Sequence, residues 1–463
     1  MSGPTGNLLA VVLLRFDRGS LLVEGPGAEQ AESLPDARWD RRVGAVRLPA
    51  HRYHAAVRLL VARGVEFSDQ ARAYEDLELP PPDVRPRPYQ AEAVEAWFAA
   101  GRRGVVVLPT GAGKTVVAEL AIARTGRSTL VVVPTIDLLN QWFDRLATHF
   151  GEERVGAVGG GAFEPRPLTV TTYDSAYLHL ERLGGRFGLL VCDEVHHLPG
   201  PSFVEGARMA LAPFRLGLTA TPPEAERMSV VADVLGPVIY RQEITDLAGD
   251  YLSEYETVRL EAQLDAAEQE QHDRARDEYR GFVARHGIRL GGRFGWARFL
   301  QATGRSAEGR RALTAWRTQR RIAMRCAAKM GHLAEVLARH SAERVLVFAH
   351  DNDTAYAVSR RFLVPVITHQ TKPRERRAIL AGLRDGSTPV VATSRVLNEG
   401  VDVPEVSVGV VLSGTATVRE HVQRLGRILR KAPGKRAILY EVVTAGTSEE
   451  GASARRRAHD AYR

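Results

Sequence analysis

Apolar positions along the chain change spacing from segment to segment, and each spacing predicts a different element. Up to about residue 75, short apolar runs at 8–14, 21–23 and 45–48 alternate with turn-rich stretches. A helical pattern follows from Arg52 to Ala62 and stops at Gly64, so a small α/β module is expected over 1–79. It carries no catalytic constellation, and a structural cap and a binding role both fit it. The stretch Pro80-Pro-Pro-Asp-Val-Arg-Pro-Arg-Pro88 is a stiff linker and a domain boundary. Tyr89-Gln90 then opens an amphipathic helix through Trp97 and Phe98. Apolar strands at 105–108, 130–133, 168–172, 189–192 and 214–219 alternate with helical segments, which predicts a doubly wound parallel sheet over 89–242. The same rhythm returns at 345–349, 364–367, 390–392, 406–412 and 437–442, so a second α/β domain is expected over 243–442. Inside it, from 261 to 329, the strand signal gives way to a helical insertion. Residues 443–463 form a basic tail, in which Arg455-Arg-Arg457 is either solvated or a docking site.

Charge changes this picture at one place. The 463 residues carry a formal net charge of +8, which suggests an acidic partner such as nucleic acid. Lysine stands only at 114, 329, 372, 431 and 435, leaving 58 of the 63 basic residues as arginine, a bias that a GC-rich genome can produce. Between Arg274 and Lys329, however, fifteen basic residues face three acidic ones, Asp277, Glu278 and Glu308. Phe282, Phe294, Trp296, Phe299 and Trp316 are interleaved there. Two arrangements fit: a basic surface with aromatics for phosphate contact and base stacking, or a hairpin whose aromatics form its own core. Cys192 and Cys326 are the only cysteines, too few for an iron–sulfur cluster or a Cys₄ zinc site. The run at 8–14 is too short to cross a bilayer, so a cytoplasmic protein with no membrane partner is expected.

The chemistry concentrates in Val105-Val-Val-Leu-Pro-Thr-Gly-Ala-Gly-Lys-Thr115, where a β-branched strand ends, a glycine loop follows and a helix begins. In such a P-loop, Thr110, Gly111, Ala112 and Gly113 turn backbone N–H groups toward an anion at the helix N-terminus. Lys114 would reach the terminal phosphates of ATP, and the Thr115 hydroxyl would hold Mg²⁺. A strict motif wants glycine at Leu108, and a ligand-free strand–helix turn is the plain alternative. Asp193-Glu194 follows the strand at 189–192, where Asp193 would hold Mg²⁺ and Glu194 would polarise the attacking water. Thr219-Ala-Thr221 ends a further strand, and its hydroxyls can couple to the γ-phosphate. In Gln423-Arg-Leu-Gly-Arg-Ile-Leu-Arg430, helical spacing puts Gln423, Arg427 and Arg430 on one face, suited to completing the site when two domains close.

Together these stretches resemble the superfamily 2 helicases, and more closely the XPB-type repair and transcription helicases in their short archaeal or bacterial form. The resemblance rests on Arg87-Pro-Tyr-Gln90, Val133-Pro-Thr135, Thr171-Thr-Tyr-Asp-Ser-Ala-Tyr177, Asp193-Glu-Val-His-His-Leu-Pro199, Pro213-Phe-Arg-Leu-Gly-Leu-Thr-Ala-Thr221 and Leu397-Asn-Glu-Gly-Val-Asp-Val-Pro404, besides the segment at 423–430. It implies an α/β fold of two tandem RecA-like domains, a damage-recognition-like N-terminal domain and a thumb-like basic insertion. It implies that Arg87 and Gln90 read adenine, and that Gly400 and Asp402 complete the nucleotide site. Thr135, Thr172, Thr393 and Ser394 would touch the DNA backbone, with Arg293 and Trp296 of the insertion adding DNA contacts. A DNA-dependent ATPase and 3′–5′ helicase in nucleotide excision repair follows, with a structure-specific nuclease as partner.

The chain departs from the family at one point. The family's Arg-Glu-Asp triplet after the Thr-Ala-Thr motif is replaced here by Pro222-Pro-Glu-Ala-Glu-Arg227. Translocation with weakened unwinding is therefore one alternative. An RNA helicase, a restriction-system translocase and an ATP-gated DNA-binding scaffold are the others.

Overall fold

The computed structural model describes residues 11–290, 295–394, 406–413 and 436–457. It comprises two units, Met1–Gln242 and Glu243–Arg463.

The first unit opens with β1 (Val12–Asp17), β2 (Ser20–Glu24), β3 (Arg38–Asp40), β4 (Ala45–Pro49), α1 (Tyr53–Ala62) and β5 (Phe67–Asp69). The strands form one sheet in the order β3-β4-β2-β1-β5, antiparallel except for β5 beside β1. Alternation in β1 and β2 turns Val12, Leu14, Leu21 and Val23 inward, where Tyr53, Ala56 and Leu60 from one stripe of α1 cover them. Leu211, from far along the chain, is part of the same core. Arg18 (φ 47°) and Gly19 (φ 75°) both take positive φ in the two-residue turn between β1 and β2. A Cβ at position 19 would stand 2.6 Å from the Met209 side chain, so glycine also permits a close approach there.

After the linker come α2 (Pro88–Ala99), β6 (Arg103–Val107), α3 (Lys114–Thr125), β7 (Thr129–Val133), α4 (Ile136–Phe150), β8 (Val155–Gly159), β9 (Ala162–Glu164) and β10 (Leu168–Thr172). They continue into α5 (Tyr173–Leu183), β11 (Leu189–Asp193), α6 (Pro201–Arg208), β12 (Phe214–Thr219), α7 (Ala225–Val234) and β13 (Val238–Arg241). The sheet order is β13-β6-β12-β11-β7-β10-β8-β9, parallel throughout except for the β8–β9 hairpin. Strands β7, β10 and β11 are buried at every position, as expected where helices cover both faces.

The second unit holds α8 (Ile244–Leu247), β14 (Tyr255–Ala262), α9 (Ala266–Arg285), α10 (Gly295–Thr303), α11 (Ala307–Arg325), α12 (Ala327–Arg339) and β15 (Val345–Phe348). Then follow α13 (Asn352–Phe362), β16 (Val366–Ile367), α14 (Pro373–Asp385), β17 (Val390–Thr393), β18 (Val408–Val411), β19 (Ala437–Thr444) and α15 (Ser448–Arg457). Its six strands are parallel in the order β14-β19-β18-β15-β17-β16.

Strands β8, β9, β13 and β14 go beyond the sequence expectation. In β8, Gly156 and Gly159 interrupt the apolar run, and β9 is only three residues long and exposed throughout. In β14, Val258, Leu260 and Ala262 face the core while Arg259 and Glu261 alternate outward, the pattern of a half-covered edge.

In the insertion, Phe282 and Phe299 are buried with Ala312, and Tyr279 and Trp316 pack against them. The aromatics there thus build a helical core, and only Trp296, 41% exposed, is open to solvent among those described. Several of its cations are matched: Arg274 pairs with Glu270, Arg276 with Asp273, Arg285 with Glu308 and Arg311 with Glu278. Lys329 is fully buried on Glu449. Among the described residues, no helix is long and apolar enough to cross a membrane.

Candidate active site

Parallel order brings the sequence-predicted residues of the first unit to one edge. The C-terminal ends of β6, β12 and β11 lie side by side, with Thr219 level with Val107 and Leu218 level with Asp193. The loops that leave these strands therefore emerge together, where open α/β sheets bind phosphates.

Leu108 explains itself. It is fully buried, and its N–H bonds to Thr219 O at 3.0 Å, so the position carries the pairing with β12 one residue past the end of β6 and the turn starts after it. Gly111 (φ 86°) and Gly113 (φ 79°) then take the left-handed conformation that the loop requires. Tyr89 Oη and Gln90 Nε2 both donate to the Ala112 carbonyl, at 2.7 and 2.8 Å, and so brace the loop from behind. Gln90 Oε1 also accepts from the Arg87 backbone N–H at 2.9 Å, which caps α2. Gln90 thus uses one amide N–H and its carbonyl oxygen within the fold, while the half-buried Arg87 side chain bonds to Tyr89 Oη at 3.3 Å. Lys114 and Thr115 open α3, with Lys114 Nζ resting 3.5 Å from Leu108 O.

Asp193 is held at three points. Trp142 Nε1 donates to its Oδ2 at 3.0 Å, the Glu194 N–H donates to its Oδ1 at 2.9 Å, and Tyr173 Oη holds its backbone carbonyl. Burial and the neighbouring Glu194 charge raise its pKa to about 6, against the pull of Lys114. Glu194 itself sits at φ 48°, ψ 56°, a costly conformation for a residue with a Cβ. The side-chain Oε2 is buried without a hydrogen-bond partner among the described residues, 3.5 Å from His196 Nδ1.

Thr219 Oγ1 bonds to both the carbonyl and the N–H of Thr221, closing the loop after β12 on itself. The hydroxyls of Thr110 and Thr221 are buried and, like Glu194 Oε2, find no partner among the described residues. Buried polar atoms left open in this way cost stability, so an edge lined with them is built for a polar ligand. Among the described residues no three His, Cys, Asp or Glu side chains converge on a metal position. The donor set of one hydroxyl (Thr115) and one carboxylate (Asp193) instead suits a Mg²⁺ ion that arrives with phosphates.

The expected DNA contacts are distributed differently. Thr135 and Thr172 lie at the C-terminal ends of β7 and β10 and cap α4 and α5, accepting from Leu138 N and Ser175 N at 3.2 Å each. In the second unit Thr393 is fully buried, its hydroxyl donating to Ile367 O at 3.1 Å, and Ser394 is buried beside it. Trp296 is exposed on α10, its ring centroid 4.6 Å from that of Trp316. Arg293, Gly400, Asp402, Gln423, Arg427 and Arg430 lie outside the described residues. Tyr89, Trp142 and Tyr173 position the site yet escaped sequence reasoning. Trp142 and Tyr173 lie on amphipathic helices where an aromatic reads as core, and Tyr89 stands within the Arg87–Gln90 motif but shows no role of its own in the sequence.

Three segments match described families: 14–71 the xeroderma pigmentosum group B helicase damage recognition domain, 83–224 the type III restriction enzyme res subunit, and 328–432 the helicase conserved C-terminal domain. The chain is 37% identical over 448 residues to a DNA 3′-5′ translocase XPB2 of Sulfurisphaera tokodaii, covering 96% of this chain and 100% of that one. It is 33% identical to a DNA 3′-5′ helicase XPB of Mycobacterium tuberculosis over 77% of this chain, and spans 60% of that relative's length. Among solved structures, the helicase domain of Pyrococcus furiosus Hef matches with TM-score 0.53 at 20% identity, over 80% of this chain and 98% of that one, which speaks for the fold alone. With a full-length relative at this identity, and with N-terminal, ATP-binding and C-terminal segments matched in order, the chain belongs to the XPB family of superfamily 2 helicases.

Proposed function

We propose that the chain is an ATP-dependent DNA translocase and helicase, moving 3′ to 5′ and opening or remodelling duplex in DNA repair. The observation that carries this reading is the convergence of Lys114, Asp193 and Glu194 on one sheet edge, with Glu194 Oε2 buried and without a hydrogen-bond partner among the described residues. Gly111 and Gly113 turn the loop's N–H groups outward for phosphates, and Lys114 supplies a compact cation for the terminal ones. Mg²⁺ held by Thr115 and Asp193 would neutralise charge on the phosphates. Glu194 aligns the attacking water and accepts its proton. Trp142 and Tyr173 keep Asp193 from moving, so the two carboxylates hold separate roles.

Relatives named as DNA translocases and helicases, together with the exposed Trp296, support DNA as the polymer acted on. Exposed Trp39 beside Arg38, Arg41 and Arg42 on the β3–β4 hairpin offers a second aromatic and basic contact. Lys114→Ala and Glu194→Gln should each abolish DNA-stimulated phosphate release while DNA binding persists. Stimulated release that survives either change refutes the assignment.

A second reading is favoured by one feature. Pro222-Pro223 lead directly into α7, with Glu224 at its N-cap, where the family carries Arg-Glu-Asp. Translocation is then retained while strand separation is weakened. Triplex displacement without efficient separation of a 3′-tailed duplex is the expected result. Unwinding as efficient as that of a relative with the triplet removes this reading, and failure to displace a triplex leaves only an ATP-gated scaffold.

A further inference from the structure

The segment that follows Thr219-Ala-Thr221 is held at its far end by the N-terminal module. Pro222, Pro223 and Glu224 join the loop at 219–221 to α7, which starts at Ala225. Residues 224–227, at this near end, are exposed.

The other end of α7 is pinned. Asp233 Oδ1 accepts from Arg52 Nη2 at 2.6 Å, and its Oδ2 accepts from Arg208 Nη2 at 3.3 Å. Arg52 closes the short turn Ala50–Arg52, which follows β4 directly, and it also pairs with Asp36 at 2.8 Å. Arg103, at the start of the strand that leads to the P-loop, donates to Val234 O at 3.1 Å. Val231 and Val234 are buried at this same end. A ten-residue helix fixed at one end and joined to residues 219–221 at the other is a short rigid lever, about 15 Å long.

We propose that Arg52 and Asp233 are positioning residues for ATP turnover: through this ion pair the N-terminal module holds α7, and α7 holds residues 219–221 in register with the phosphate edge. Neither residue touches the nucleotide site, so their effect falls on kcat rather than on ATP binding. The inference rests on the ATPase reading above, and it uses turnover without DNA, so the two fail separately.

The experiment measures kcat and KM for ATP on the full chain without DNA, with kcat expressed per nucleotide-binding-competent molecule so that a misfolded fraction does not enter. Arg52→Ala and Asp233→Asn should each lower kcat about fivefold with KM unchanged within about twofold. The double variant should be no slower than the slower single, because both changes break the same link. Arg52→Lys should recover part of the loss. Asp36→Asn removes the other partner of Arg52, keeps a residue suited to positive φ at position 36 (φ 66°), and should behave as wild type. Arg52→Ala at wild-type kcat, or single effects that multiply in the double variant, overturns the proposal. A wild type that hydrolyses ATP without stimulation by DNA overturns the function reading alone, one that turns over only with DNA overturns the positioning proposal alone, and one with no turnover with or without DNA overturns both.

Discussion

His51 should make the first unit acid-sensitive, by an amount that follows from its surroundings. Its side chain is buried, neither ring nitrogen has a hydrogen-bond partner among the described residues, and the guanidinium groups of Arg215, Arg52, Arg208 and Arg103 surround it. Asp233 is 3.7 Å away, but one carboxylate does not offset burial beside four cations. Burial first, and those cations second, lower the pKa from 6.5 to about 2. The sign follows from proton counting. Between pH 6.5 and 2 the unfolded chain binds a proton that the folded chain refuses, so stability falls as pH falls through this window and is fully present above it. Acidifying from pH 7 to pH 5 should therefore cost about 2 kcal/mol from this one residue. The assay is urea unfolding at both pH values for wild type and His51→Gln. The difference between the two pH responses cancels groups that titrate in both proteins. A variant that loses as much stability on acidification as wild type refutes the reasoning.

The remaining predictions concern the loop and the insertion. Gly113→Ala forces a Cβ to 2.4 Å from Gln90 Nε2 at φ 79°. With about 1–2 kcal/mol of left-handed strain added, KM for ATP should rise by about tenfold or more, and an unchanged KM counts against the bracing role of Gln90. In the insertion, Phe299→Ala should destabilise the helical core by about 3–5 kcal/mol in thermal unfolding. Trp296→Ala should cost less stability than Phe299→Ala and weaken DNA affinity, and the reverse ranking would mean the two aromatics have been given each other's roles.

Much of the architecture was legible because parallel strands buried on both faces leave dense apolar runs, as at 130–133 and 189–192. The hairpin of β8 and β9 was not, since glycines break the apolar run of β8 and β9 is a three-residue exposed edge with no buried face to mark it. That Lys114, Asp193 and Glu194 follow strands of one parallel sheet was legible from the apolar runs that precede them. The bonds of Trp142 and Tyr173 to Asp193 were not, because a helix-borne aromatic that bonds a strand-end acid has the same periodicity as one that only fills the core. The positive charge of the insertion was legible as composition, and Arg274–Glu270 and Arg276–Asp273 are pairs within α9, but the pairing of Arg285 with Glu308 and of Arg311 with Glu278 depends on which helix faces meet. Charge counted along a sequence overstates charge presented at a surface.

The shared core around Leu211 bears on how the chain can be cut. The N-terminal module looks detachable, with its own sheet and a proline-rich boundary behind it. Yet Leu211 is buried among Val12, Leu14 and Leu60, Met209 lies against Gly19, and Asp233 depends on Arg52. Trimming the chain at the linker would strip an apolar patch bare and leave one carboxylate to face buried arginines with fewer partners. Module and first helicase sheet are better treated as one piece for expression, truncation and chimera building, whatever the boundary in the sequence suggests.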